Sequence, residues 1–245
     1  MQPIFILTIM IGIISAMQSE HDQLAARLQE KNVIERGRLT FVTGRIGQND
    51  VVLAKSGIGK VNAALGAAAL LDAFPLEALI STGVAGGIDP VLQVTDVVAS
   101  CRLAYHDVWC GDGNAYGQVQ GLPLYFEADK RMLHAALSLN EGGTLESRIH
   151  QGVICTGDQF ISNRDELQLI KSRFPEALAV DMESAALAHT CYLRDVPFIS
   201  FRIISDTPGA HEENFAQYLD FWKTMADRSF HTTWSFLQAL PQMGE

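Results

Sequence analysis

Basic charge is scarce in this chain. Lys and Arg number 18 against 28 Asp and Glu, a formal net charge of −10. No basic stripe interrupts that balance, which argues against nucleic acid and anionic membrane as partners. It also mildly disfavours substrates that carry phosphate. Cysteine is scarce too. The four, Cys101, Cys110, Cys155 and Cys191, form no C-x-x-C pair, and no Cys/His cluster has zinc spacing. Three lie at or near apolar segments, where free cysteine acts as a small hydrophobe. This usage points to a reducing, cytoplasmic compartment without a structural metal. A membrane-length apolar run is missing as well. "MQPIFILTIMIGIISAM" is apolar for about 15 residues, short for a span and without the basic flank of a signal peptide. Its second half reads as a buried first strand, which leaves residues 1–8 as an N-terminal extension. Linkers, repeats and low-complexity segments are absent.

What is present is a compact composition. The 245 residues are 48% hydrophobic and 19% charged, enough to bury a substantial core. Short β-branched runs alternate with helical patterns along the whole length. "MIGIISA" reads as a strand and "SEHDQLAARLQEK" as an amphipathic helix with an acidic first turn. "RLTFVTGRIGQNDVVLAKSG" reads as two strands around a turn at Gln48–Asp50. "KVNAALGAAALLDAF" is a small-residue helix, suited to close packing on a sheet. "LEALISTGVAG", "VTDVVASCRLAYHD", "RIHQGVICTGD", "ALAVDM" and "VPFISFRIISD" are strands. "DKRMLHAALSL", "RDELQLIKSRF" and "ESAALAHTCYLRD" are helices, and one long amphipathic helix is expected from about Glu213 to Leu240. Residues 108–128 form a long Gly-rich loop with several aromatics, and such loops in compact domains are usually functional or disordered. The alternation predicts one α/β domain over residues 9–245. Its apolar strands are buried on both faces by flanking helices.

In such sheets ligands collect at the carboxyl ends of strands. The strand exits here carry acids: Glu20, Asp158, Glu183 and Asp206. Read singly, each motif has an ordinary explanation. Glu20 suits a helix N-terminus. "SGIGK" and "GVAGG" suit tight strand-to-helix packing and do not match the P-loop pattern. Asp206 suits a turn before "TPGAHE", and Phe160 and Met182 suit a core. Their combination and order carry more than any one of them.

The stretches "IGIISAM…E", "KSGIGKVNAALGAA", "STGVAGG", "VTDVVAS…YHD", "TGDQFI", "FPEALAVDMESAALAH" and "VPFISFRIISD" together resemble the 5′-methylthioadenosine/S-adenosylhomocysteine nucleosidases, within the purine nucleoside phosphorylase-like superfamily. The resemblance runs from about Ile9 into the last helix. It implies a central mixed, twisted β-sheet closing toward a barrel, with helices outside. It implies a homodimer, small adenine nucleosides as substrates, and hydrolysis of their N-glycosidic bond without metal or organic cofactor.

Site roles are implied position by position. Asp206 resembles the acid that hydrogen-bonds or protonates adenine N7, a role that needs a proton held by burial. Glu20 resembles the base that orients the attacking water, and Arg202 a partner for that water and carboxylate. Glu183 resembles the acceptor for the ribose 2′- and 3′-hydroxyls, with Met182 packed against the sugar. Phe160 resembles the adenine-stacking aromatic, and Ile161 offers backbone groups to the base edge. Ala85 and Gly86 of the "GVAGG" turn belong with the substrate wall. Met17, Ile58 and Phe215 resemble the apolar pocket of the 5′-alkylthio group. Asp181 is expected to be a solvated or capping acid without chemistry, and His211 and Tyr218 stay unassigned.

Two departures stand out. Val84 replaces the serine common at that position, so any hydroxyl that positions water there is lost. The 108–116 loop, "VWCGDGNAY", is one residue shorter than the commoner pattern, which opens the choice of 5′ substituent. A futalosine or aminofutalosine hydrolase is therefore an alternative with the same chemistry. A nucleoside phosphorylase needs arginines for phosphate, and "SAMQSE" at the first strand exit has none. A non-catalytic binding protein on this fold could lose its acids, whereas this chain keeps Glu20, Glu183, Arg202 and Asp206.

Overall fold

The computed structural model describes residues 9–37, 39–143, 145, 147–208 and 214–241. The expected extension at residues 1–8 and His211 lie outside the described residues. In chain order the elements are β1 (Met10–Ser15), α1 (Gln18–Ala25), β2 (Gln29–Arg36), β3 (Leu39–Ile46), β4 (Asn49–Lys55), α2 (Lys60–Ala73), β5 (Leu76–Gly87) and β6 (Val97–Tyr105). There follow β7 (Phe126–Glu127), α3 (Lys130–Ser138), β8 (Ile149–Thr156), α4 (Arg164–Arg173), β9 (Ala177–Asp181), α5 (Ser184–Leu193), β10 (Phe198–Asp206), α6 (Asn214–Thr224) and α7 (Ala226–Ala239).

Five strands close on themselves. β5 pairs with β10, β10 with β6, β6 with β8, β8 with β9, and β9 returns to β5. The pairings are both parallel and antiparallel, as a mixed barrel requires. From β5 the sheet also runs outward through β1, β4, β3 and β2. Strand β5 therefore serves two partners on one edge. Its first half pairs with β1 as far as Ser81, opposite Ile14. Its end pairs with β9, at Gly86 opposite Val180. Between those points neither strand pairs with β5, and its edge is left open where the ends of β1 and β9 approach from opposite directions. A fork of this kind in an α/β sheet is where ligands bind.

Burial follows the apolar pattern. All nine residues of β10 are buried, which its Phe/Ile-rich sequence requires. Helix α2 lays Ala63, Gly66, Ala67 and Leu70 against the sheet. A Cβ at Gly66 would sit 2.8 Å from the Ser56 Cβ, so helix and strand end approach more closely than larger residues permit.

Three expectations need correction. The helix expected over residues 19–31 ends at Ala25, and Gln29–Arg36 is instead an edge strand paired antiparallel with β3. Its polar, mostly exposed residues suit a sheet edge that must not recruit other chains. Glu30 at φ 52° and a register shift between Gln29 and Asn32 form a bulge there. The last helix is two, α6 and α7, interrupted at Met225 (φ −122°, ψ −20°). No Gly or Pro marks that break; the packing of Phe221, Ala226 and Phe230 into one cluster sets it. The β3–β4 turn is Gly47–Gln48, one residue earlier than expected. Among the described residues no helix is long and apolar enough to cross a membrane.

Candidate active site

A cavity of about 410 Å³ opens at the fork. Its walls come from the end of β1 (Ala16, Met17), from Glu20 on α1, from Ile58 before α2 and from Val84–Gly86 of β5. Gln159–Ile161 follow β8, Val180–Glu183 span the end of β9 and the turn into α5, Ser205 and Asp206 end β10, and Phe215 and Tyr218 come from α6. Sites far apart in sequence meet because β1, β5 and β10 run parallel and end together, while β9, antiparallel to β5, brings its own end against theirs at Val180 opposite Gly86.

Of the four acids lining the cavity, Glu20, Glu183 and Asp206 are each held differently. Glu20 is buried and anchored by backbone. Its Oε2 accepts from Ala16 N (3.0 Å) and Met17 N (2.9 Å), and its Oε1 from Val84 N (3.0 Å). It thus caps α1 and faces the cavity at once. Burial pushes its pKa up, against the lowering pull of Arg202 and the three N–H donors. Gly83 makes this packing possible. It sits at φ 149°, and a Cβ there would overlap the Glu20 carboxylate and the Arg202 guanidinium. Val84 meets Glu20 through its N–H, so the missing serine hydroxyl leaves that contact intact.

Glu183 precedes α5. Its Oε1 accepts from Gly59 N at 2.9 Å, and its Oε2 lies 3.7 Å from Arg202 Nη2. Burial raises its pKa to about 7, with Arg202 opposing and Asp181 adding to the rise. Asp206 ends β10, where a register shift after Ile204 re-aims the chain. Only 2% of it is exposed, and Ser205 Oγ lies 2.6 Å from its Oδ1. Burial raises its pKa to about 6, with hydrogen bonds from Ser205 and Asn214 opposing.

Arg202 does not line the cavity. It lies behind it, with Nε 3.0 Å from Asp181 Oδ2, Nη2 2.9 Å from Ser81 Oγ and Nη1 3.4 Å from Thr82 O. Asp181, expected to be solvated, is buried. It accepts from Thr156 Oγ1 (2.5 Å) and Ser184 Oγ, and it caps α5 through Ser184 N. The capping part of that expectation holds and the solvated part does not, because β9 runs inside the sheet. Asp158, grouped with the acids by its strand exit, lies outside the cavity and is bonded to Lys60 N at 2.8 Å.

The opposite wall is aromatic. Phe160 meets Phe215 edge-on (5.9 Å, 85°) and Tyr218 edge-on (5.7 Å, 74°). Tyr218 OH contacts the Met17 sulfur at 3.4 Å. Tyr218, Gln159 and Ser205 line the cavity without having been assigned from sequence. For Tyr218 the i, i+3 spacing from Phe215 on one helix was an available signal. Among the described residues no group of three or more His, Cys, Asp or Glu is placed to hold a metal ion.

Fold and cavity together define a class. A sequence model of the phosphorylase superfamily matches residues 10–238. A 5′-methylthioadenosine/S-adenosylhomocysteine nucleosidase of Geobacillus thermodenitrificans is 40% identical over 228 residues, covering 92% of this chain and 95% of that protein. The crystal structure of the S-adenosylhomocysteine nucleosidase of Streptococcus pyogenes with 5-methylthiotubericidin superposes with a TM-score of 0.88 at 35% identity, covering 96% and 98% of the two chains. The Streptococcus pneumoniae nucleosidase with the transition-state inhibitor MT-ImmA gives 0.87 at 39% identity, covering 95% and 100%. The chain belongs to the 5′-methylthioadenosine/S-adenosylhomocysteine nucleosidase family.

Proposed function

We propose that this chain hydrolyses the N-glycosidic bond of 5′-methylthioadenosine and S-adenosylhomocysteine, releasing adenine and a 5-thio-substituted ribose. The carrying observation is that Glu20, Glu183 and Asp206 face one cavity from three strand ends, each in a different setting. Adenine leaves poorly as an anion. Asp206, which burial keeps protonated to higher pH, donates toward N7, and general acid help of this kind is worth about 10²–10⁴-fold. Glu20, fixed by three backbone N–H groups, takes a proton from the attacking water. Glu183 accepts from the ribose hydroxyls and sets negative charge beside a sugar that turns cationic as the bond breaks. Arg202 orients Asp181 and Glu183 from behind.

The remaining walls fit the rest of the substrate. Phe160 stacks on the base, Ile161 meets its edge through the backbone, and Ala85 and Gly86 flank it. Met182 packs on the ribose. Met17, Ile58 and Phe215 enclose the 5′-alkylthio group. Hydrolysis is favoured over phosphorolysis by the cavity lining, which includes no Arg or Lys among the described residues. The α2 N-terminus, a natural phosphate seat, is filled by Glu183 and Asp158.

The protein works as a homodimer in the cytoplasm. Val61 and Leu65 on the outer face of α2, with Ile58 and Trp109, stay more than half exposed, an apolar patch that a second copy covers. All four cysteines are free. The test is adenine release from methylthioadenosine, S-adenosylhomocysteine and aminofutalosine, each with and without phosphate. Phosphate-independent release from the first two is expected. A requirement for phosphate, with a sugar 1-phosphate as product, would sink the hydrolase reading.

A further inference from the structure

Just outside the cavity, three chain segments are tied together by one lysine. Lys60 opens α2, Asp107 follows β6, and Asp158 follows β8. Lys60 Nζ lies 2.7 Å from both Asp107 carboxylate oxygens and 3.8 Å from Asp158 Oδ2. Asp107 Oδ2 accepts from Asp158 N at 2.9 Å, and Asp158 Oδ1 accepts from Lys60 N at 2.8 Å. The bonds close a ring: side chain to side chain, side chain to backbone, backbone to side chain. An ordinary surface ion pair contributes little. This one is different in kind, because two backbone N–H groups are locked into it and the Lys60 and Asp107 side chains are only 23% and 21% exposed.

The ring fixes what lies on either side of it. One residue before Lys60, Gly59 N donates to Glu183 Oε1 at 2.9 Å. Gly59 is at φ 94°, and a Cβ there would come within 3.0 Å of Asp158 Oδ1. The turn is therefore pressed against Asp158 by design of its backbone. Two residues after Asp158, Phe160 forms the aromatic wall.

We propose that Lys60 and Asp107 form a clasp that positions Glu183, holding the Gly59 N–H against its carboxylate so that it meets the ribose hydroxyls. Lys60 and Asp107 are positioning residues, since neither lines the cavity. The inference rests on the ribose role given to Glu183 above. It adds a residue pair, remote from the substrate, through which sugar recognition is set.

The test uses a non-hydrolysable 5′-methylthio nucleoside analogue and its 2′-deoxy counterpart, bound by calorimetry to the wild type, Lys60→Met and Asp107→Asn. Turnover of methylthioadenosine and its 2′-deoxy form, and thermal melting, are measured in parallel. The wild type should prefer the ribo ligand. Both variants should lose about tenfold of that preference, the scale of one charge-assisted hydrogen bond, with deoxy binding and melting little changed. Equal losses for both ligands would make the clasp merely structural and overturn the proposal. So would an unchanged preference in both variants. A wild type without preference would remove the ribose role of Glu183, and the clasp with it. Should the wild type bind with the expected preference yet release no adenine, the hydrolase reading fails while the variants still decide the clasp.

Discussion

Arg202 and Asp181 form an ion pair wholly inside the sheet, with Nε 3.0 Å from Oδ2 and both side chains 1% exposed. The same guanidinium faces Glu183 and lowers the pKa of Glu20. One cation thus serves three buried acids. Removing it leaves charges that cannot be solvated. Arg202→Met should cost about 3–5 kcal/mol of stability, the usual penalty for breaking a buried pair. Urea denaturation measures it. A loss below about 1 kcal/mol would mean the acids are protonated in the folded state and do not need the cation.

In the proposed mechanism Asp206 carries the acid step. Asp206→Asn keeps the size and a donor but cannot deliver a proton. Its kcat should fall by about 10²–10⁴-fold, with adenine affinity held within about tenfold. In the wild type, kcat/KM should decline as pH rises past about 6, where Asp206 deprotonates. A pH profile flat through that region would take the acid role away from Asp206.

The same burial predicts a pH dependence of stability. Asp206 and Glu183 titrate at about 6 and about 7 when folded, above their ordinary values of 3.8 and 4.5. The folded state binds more protons than the unfolded chain between those limits. Stability is therefore undiminished below about pH 4 on this account and falls as pH climbs toward 7, by on the order of 3 kcal/mol per group. Asp206→Asn should flatten part of that slope in melting curves taken across the range. An unaltered slope would exclude Asp206 as its source.

Gly83 is the backbone position on which Glu20 and Arg202 both close. Gly83→Ala would push a methyl into both groups at a φ of 149°, which only glycine readily adopts. Turnover should be lost even if the variant folds, because Glu20 must leave its place beside Val84. Normal kcat in a soluble Gly83→Ala protein would show that Glu20 does not need its present seat.

The cavity wall also makes a prediction. Phe160 is 43% exposed, so it packs little of the core. Phe160→Ala should weaken adenine binding by about tenfold, in line with about 1–3 kcal/mol for an aromatic stacked on a base, with a melting temperature close to the wild type. A large loss of stability instead would return Phe160 to an ordinary packing role.

Local pattern was readable wherever burial was uniform. Strands such as "VPFISFRIISD" announce themselves because both faces are covered, and β10 is buried throughout. Pattern failed where the decision was not local. Gln29–Arg36 has a helix-like composition, but pairing with β3 settles it as strand. Met225 separates α6 from α7, with Phe221, Ala226 and Phe230 from both sides of the break packed in one cluster, and no residue type marks the spot. Glu20, Glu183 and Asp206 were legible as acids at strand exits. Asp158 shared that signature and turned away to Lys60.

The sequence by itself determined the fold class, the family and the chemical kinds of group available at the site. Those rest on alternation of elements and on short motifs, which are properties of neighbours along the chain. Tertiary structure alone decided which acids share a cavity and which carry raised pKa values. It put Arg202 behind the wall rather than in it, buried Asp181, and set the α2 N-terminus against Glu183. Burial and charge proximity depend on distances between segments remote in sequence, and those distances exist only once the barrel has closed.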